Sequence, residues 1–331
     1  MTSTYRLSLP HRPRRMRRTA SLRAMAKETI LAPSDFVQPL FVIEGKGLRE
    51  PIASMPGQAR LSLDLLAEEA RALHALGISG IALFPKIDDK KKDERGTGSF
   101  DKNGLVPRAI AAIKESAPGM TVICDVALDP YTSTGQDGIV RDGIILNDET
   151  VEALIAQALC EAAAGADMVA PSDMMDGRIG AIRSALDENG FEEVCILSYA
   201  AKYASSFYGP FRDALDSAPR GGADKKTYQM DPRNRLEAIR EVELDLLEGA
   251  DIVMVKPALP YLDIVRLVRE ISTVPVAAYH VSGEYAMLKA AGQNGWLDEK
   301  KCMLEALTSI KRAGADVIFT YAAREIAEEI G

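Results

Sequence analysis

Two lysines stand where lysines seldom stand on a soluble surface. Lys256 closes the apolar run DIVMVK, and Lys202 follows the apolar run ILSYAA. Short apolar runs of this kind read as buried strands, so each amine is expected at a strand's C-terminal end. An ordinary lysine has a pKa near ~10.4, which leaves only about one amine in 2,500 neutral at pH 7. Desolvation and a neighbouring ammonium both depress that value, so two adjacent buried lysines activate each other. The chemistry this suits is Schiff-base formation with a carbonyl substrate. A single strand-end lysine is as simply explained by snorkelling to solvent or by holding a phosphate, but that explanation weakens when two share one face.

Candidate anion binders lie elsewhere along the chain. Arg212, Lys225 and Lys226 fall in the stretch 203–234, Ser282 follows the seventh apolar run, and Tyr321 ends the eighth. Singly, a hydroxyl at a strand end is usually satisfied by its own neighbours. As a set, these groups could hold two carboxylates above two amines.

A repeated local grammar indicates what positions them. Gly165-Ala166-Asp167, Gly249-Ala250-Asp251 and Gly314-Ala315-Asp316 each end a helical pattern and open an apolar run, and Gly77-Ile78-Ser79-Gly80 does the same earlier. A glycine at a helix C-cap takes φ > 0 without steric cost and turns the chain into the next strand. Eight strands are predicted at 36–43, 80–87, 120–127, 168–172, 194–200, 251–256, 274–281 and 316–321. Helical patterns between them include 61–76, 108–115, 150–164, 235–247, 261–270 and 299–313. Eightfold alternation of strand and helix is the arithmetic of an α/β fold of the (β/α)8 TIM-barrel type. A doubly wound sheet is disfavoured because no G-x-G-x-x-G follows the first strand. Residues 1–32 are expected to form an extended N-terminal arm, and 33–331 the catalytic barrel. Three connections, 88–104, 129–148 and 203–234, are too long to be simple connectors. All three follow strands, so they gather at the barrel's C-terminal face, where 203–234, with its aromatics and prolines, suits a lid.

With 47% hydrophobic and 27% charged residues, the 331-residue chain has the composition of a soluble globular protein. Its net charge of −8 argues against wholesale nucleic-acid binding. Cys124, Cys160, Cys195 and Cys302 lie far apart, which suggests a reducing compartment, not a disulfide framework. No apolar run approaches the roughly 18 residues of a membrane span, and no secretory signal opens the chain; a cytoplasmic location is expected. The basic block HRPRRMRR at 11–18, with Arg23 beyond, reads better as an arm docking on the acidic remainder of the chain or on a neighbouring subunit than as a transit peptide. No aromatics interleave with its arginines as they would in an RNA-binding tail.

MVKPALPYLDIV around Lys256 and SYAAKYASSFYGPFRDA around Lys202 resemble signature segments of the 5-aminolevulinate dehydratase (porphobilinogen synthase) family. HVSGEYAM around Ser282, KRAGADVIFTY ending at Tyr321, CDVALDPYTSTGQDG from Cys124 and RPRRMRR near the start are similar to the same family, so the likeness covers essentially the whole chain. The resemblance implies a metal-variable (β/α)8 lyase of porphyrin (haem and chlorophyll) biosynthesis that condenses two 5-aminolevulinate molecules into porphobilinogen with loss of two waters. It implies Schiff bases on both lysines, Lys256 holding the substrate that becomes the propionate side and Lys202 the one that becomes the acetate side. It assigns Arg212 and Lys225 to the acetate-side carboxylate, and Ser282 and Tyr321 to the other. It further implies an allosteric homo-oligomer, an octamer or a hexamer.

The chain departs from the family's zinc-using members between Asp125 and Gly138. Where those relatives place three cysteines it has Ala127, Asp129 and Asp137, and Thr134 and Gln136 replace histidines. Zinc prefers thiolate and imidazole, so no zinc is expected; carboxylates suit Mg²⁺, a monovalent cation such as K⁺, or nothing. Proton transfers would then rest on Asp125, with Asp129 and Asp137 as further acid/base candidates. Glu241 matches a residue that binds Mg²⁺ between subunits in some relatives, although on sequence alone a solvated helix Glu explains it better. The alternative is a class I lysine-dependent barrel aldolase acting on a sugar phosphate. It would need one lysine and a phosphate-binding glycine loop, which neither VSGEYAM nor TYAAREIAEEIG clearly supplies.

Overall fold

The computed structural model describes residues 9–220 and 224–331. The described residues separate into two units, one ending at Ile30 and the other spanning Leu31–Gly331. The first holds a 3-10 turn, Pro13–Arg17, and a short helix, Ala20–Met25, whose Thr19 Oγ1 accepts the Leu22 N–H at 3.2 Å. Neither element buries a residue, so among the described residues of this unit nothing forms a core.

The second unit is the barrel. Its strands are β1 (Phe36–Val42), β2 (Gly80–Pro85), β3 (Thr121–Val126), β4 (Met168–Pro171), β5 (Cys195–Lys202), β6 (Ile252–Lys256), β7 (Val276–His280) and β8 (Val317–Thr320). All eight pair in parallel, and β8 closes on β1 through Phe36↔Ile318 and Val37↔Phe319. The expected strands are present to within about two residues at each end. The informative difference is β5, which runs on to Lys202. A register shift against β6 between Val253 and Val255 absorbs the extra length and leaves Lys202 and Lys256 as direct partners. Such a bulge re-aims the side chains beyond it.

The Gly-Ala-Asp turns do more than change direction. Gly165, Gly249 and Gly314 have φ of +100, +99 and +129°, and the aspartate that follows each one reaches across to the preceding strand. Asp167 accepts the Val122 N–H at 2.7 Å, Asp251 the Ile196 N–H at 2.7 Å, and Asp316 the Val276 N–H at 2.9 Å. The same aspartates' backbone N–H groups return bonds to those three residues' carbonyls. Each turn therefore pins the start of a strand pair and leaves the opposite end free to carry chemistry.

The helices Leu63–Ala75, Leu105–Ser116, Asn147–Ala163, Arg178–Glu188, Leu236–Leu247, Leu262–Ile271 and Glu299–Ala313 cover the strands. Beyond the helical patterns named from the sequence lie Arg178–Glu188, Gly209–Leu215, Ser282–Gln293 and Ala323–Ile330. The long connections carry local order: a hairpin at Val140–Arg141 and Ile144–Ile145, 3-10 turns at Asp89–Lys91 and Thr97–Phe100, and the helix Gly209–Leu215 in 203–234, of which 221–223 lie outside the described residues. A second hairpin, Arg49–Pro51 with Ala59–Leu61, extends the sheet beside β1.

Candidate active site

Lys202 and Lys256 end β5 and β6, and each is only 6% exposed. Their surroundings differ. The Lys256 ammonium lies 4.4 Å from the Tyr279 ring centre, 4.9 Å from Tyr199, 5.2 Å from Phe211 and 5.4 Å from Tyr208. Burial, then the neighbouring Lys202 charge, pulls its pKa down to about 7. The Lys202 Nζ instead donates to the Ser172 carbonyl and approaches Asp137 Oδ2 at 3.4 Å.

Three aspartates complete the floor. Asp125, on β3, has a buried Oδ1 with no protein partner, and burial together with the Asp129 charge pushes its pKa up to about 7. Lys225 reaches in from 203–234 and bridges Asp137 Oδ1 at 2.6 Å and Asp129 Oδ2 at 3.3 Å. Burial raises Asp129 despite that contact, whereas Asp137, facing both Lys202 and Lys225, is held below the usual carboxylate range against its burial. The two carboxylates raise Lys225 above an ordinary lysine although burial opposes it.

Arg212 lines the same pocket with Tyr208, Phe211 and Gln229. About 30 Å³ of free space remains inside, room for a water molecule. Ser282 and Tyr321 stand behind the aromatic layer, 0% and 2% exposed. The Ser282 hydroxyl accepts the Phe211 N–H at 3.0 Å, and the Tyr321 hydroxyl pairs with that of Tyr279 at 3.0 Å. Lys226 is exposed and pairs with Asp224. Glu241 is half-buried on Leu236–Leu247 and lines a separate cavity of about 470 Å³ with Glu237, Met174 and Tyr228; it does not line the lysine pocket.

The sequence reading missed the Ser172 carbonyl and the ring cage of Tyr199, Tyr208, Phe211 and Tyr279. Inward-facing positions in β5 and β7 would have flagged Tyr199 and Tyr279, because barrel layers are filled from alternate strands.

A closed eight-stranded parallel barrel with paired buried amines at its strands' C-terminal ends is the framework of a (β/α)8 enzyme. Residues 10–329 match the family model described as delta-aminolevulinic acid dehydratase. Over 98% of its length the chain is 54% identical to the delta-aminolevulinic acid dehydratase of Bradyrhizobium diazoefficiens, covering 92% of that protein. It is 56% identical, over 95% of its length and 83% of the relative's, to the chloroplastic enzyme of Chlamydomonas reinhardtii. The structure of the Toxoplasma gondii enzyme in complex with porphobilinogen matches with a TM-score of 0.96 and 54% identity, covering 98% of this chain and 92% of that one. The chain belongs to the delta-aminolevulinic acid dehydratase family. It condenses 5-aminolevulinate to porphobilinogen in tetrapyrrole biosynthesis, and the aldolase alternative is set aside.

Proposed function

We propose that Lys202 and Lys256 each form a Schiff base with one 5-aminolevulinate during this condensation. The observation that carries the reading is the register pairing of the two amines, one among aromatic rings and one among carboxylates. A neutral Lys256 amine attacks the ketone carbon; the carbinolamine loses its oxygen as water, and an imine remains. The apolar cage favours the neutral amine that begins this step and excludes bulk water that would reverse it. Asp125, poised near neutrality, exchanges protons with the carbinolamine oxygen, and Asp129 and Asp137 are further acid/base groups. Arg212 and Lys225 hold the acetate-side carboxylate, Lys225 with the ammonium proton not committed to Asp129 and Asp137. Ser282 and Tyr321 hold the other carboxylate once substrate parts the layer in front of them.

The donor set does not fit zinc. Ala127 offers no donor atom, and an ammonium already bridges the carboxylates of Asp129 and Asp137. Among the described residues no group of three or more His, Cys, Asp or Glu side chains is placed to hold a metal ion. If Mg²⁺ binds, Glu241 would hold it, a hard oxygen donor that suits this ion, and it would act on assembly and not on chemistry; any monovalent cation would be an accessory. The basic arm, expected over residues 1–32, of which 1–8 lie outside the described residues, would embrace an adjacent subunit of an octamer or hexamer. Among the described residues no helix is long and apolar enough to cross a membrane. Cytoplasm is the proposed location. Replacing each lysine by alanine tests the core of the reading. Lys256→Ala abolishes turnover, and Lys202→Ala nearly does so while sparing the first imine; substantial porphobilinogen from Lys256→Ala contradicts it.

A further inference from the structure

The helix Gly209–Leu215 places two site residues at once: Arg212, on the rim of the pocket, and Phe211, over the Lys256 amine. Seven residues make a helix too short to hold its shape unaided, so its position must come from its contacts. At its start the Phe211 N–H is held by Ser282 Oγ. In its middle the Phe211 ring packs edge-on against Phe84 at 5.1 Å and tilted against Phe41 at 5.9 Å. At its end the chain turns away through Asp216 at φ +53°, where the Asp216 and Ser217 N–H groups both return to the Arg212 carbonyl, so the carbonyls of Asp213 and Ala214 still need donors.

Arg60 supplies them. Its Nε donates to the Ala214 carbonyl at 2.6 Å and its Nη2 to the Asp213 carbonyl at 2.9 Å, a forked contact that places a fixed positive charge at the negative end of the helix. Arg60 is itself anchored. It lies on the strand Ala59–Leu61, its backbone registers with Phe41 of β1, and its Nη1 pairs with Glu50 at 3.2 Å on the partner strand of the hairpin. From the same hairpin loop, Ser54 Oγ donates to the Asp213 carboxylate at 2.5 Å. Just beyond the helix, Lys92 donates to the Asp216 carbonyl at 3.0 Å.

We propose that Arg60 is a positioning residue for the condensation: its guanidinium clasps the C-terminal end of the cover helix and so sets Arg212 and Phe211 over the two lysines. Arg60 touches neither lysine and does not line the pocket. It acts through the helix, linking a hairpin beside β1 to a segment that follows β5. The inference rests on the reading of Arg212 as a carboxylate binder, and the test separates the two.

Arg60→Met, Arg60→Lys and Arg212→Met are compared with the unaltered full-length enzyme. The readouts are KM and kcat for 5-aminolevulinate, and the rate of chymotrypsin cleavage within 203–234 with and without substrate. Arg60→Met should raise KM about tenfold, the scale of losing a charge-assisted hydrogen bond, and weaken the protection that substrate gives the segment. Arg60→Lys, which keeps the charge but only one of the two carbonyl bonds, should recover part of both. An Arg60→Met enzyme with KM and protection unchanged overturns the clasp. If that variant does not fold, an unchanged KM in Arg60→Lys overturns it equally. A raised KM in Arg212→Met with none in Arg60→Met sinks the clasp alone. An unchanged KM in Arg212→Met, with lost protection in Arg60→Met, sinks the carboxylate reading and leaves the clasp standing.

Discussion

Lys202 and Lys256 are register partners on adjacent parallel strands, yet a carboxylate touches only one of them. Asp137 lies 3.4 Å from Lys202, while Lys256 faces four aromatic rings and, among the described residues, no carboxylate within ion-pair distance. Two residues of the same type, one strand apart, are thereby given different tasks: an amine that is readily neutral, and a neighbouring ammonium whose charge helps to keep it so.

The first prediction follows from that contrast. With its pKa pulled to about 7, Lys256 is neutral in about one molecule in ten at pH 6 and about nine in ten at pH 8. The rate of imine formation should therefore rise through pH 7 and level off above it. Lys202→Met removes the adjacent positive charge and should move this limb to higher pH, as measured by single-turnover trapping.

Stability should also rise with pH, over a higher range. Between about pH 7 and the ordinary lysine range, the unfolded chain binds a proton at residue 256 that the folded chain does not. The stability of the unaltered protein at this group is thus lowest below pH 7 and rises as pH climbs toward 10. Lys256→Met should melt higher than the parent near pH 6, with the gap closing as pH rises. A gap that widens with pH contradicts the assignment.

Lys225 should matter to stability as well as to binding. Lys225→Met leaves Asp129 and Asp137 buried without their shared cation, at a cost of about 3–5 kcal/mol by denaturant titration near neutrality. Asp137 is held below its usual range, so the pair's contribution is present above about pH 4 and is lost as pH falls through the depressed folded value. The difference between parent and variant should shrink accordingly below pH 4.

The metal reading predicts that activity survives a zinc-selective chelator and thiol reagents. Mg²⁺ stimulation, where present, should vanish in Glu241→Ala with basal turnover kept. Loss of activity on chelation that Zn²⁺ alone restores contradicts this.

Much of the barrel was legible because its strands are covered on both faces. They read as continuous apolar runs, and the glycine before each Gly-Ala-Asp strand marks a φ > 0 turn. Arg178–Glu188 was harder to see because Arg178 is buried and charged, pairing with Asp173 and Asp245, so its apolar period is broken. The lysines stood out as charges ending apolar runs. Their environments did not: the Lys202 acceptor at Ser172 is a backbone oxygen, which no residue type announces. The ring cage draws on β5, β7 and the cover segment, and the bridge from Lys225 to Asp129 and Asp137 joins residues about ninety positions apart. Those relations exist only after the barrel closes.

The most direct test is to trap the imines. The enzyme is incubated with 5-aminolevulinate, reduced with borohydride, digested and mapped by mass spectrometry. The account predicts substrate-derived adducts on Lys256 and Lys202 and on no other lysine, with the Lys256 adduct surviving in Lys202→Ala. Adducts confined to other lysines, or no adduct under conditions where porphobilinogen forms, would contradict it.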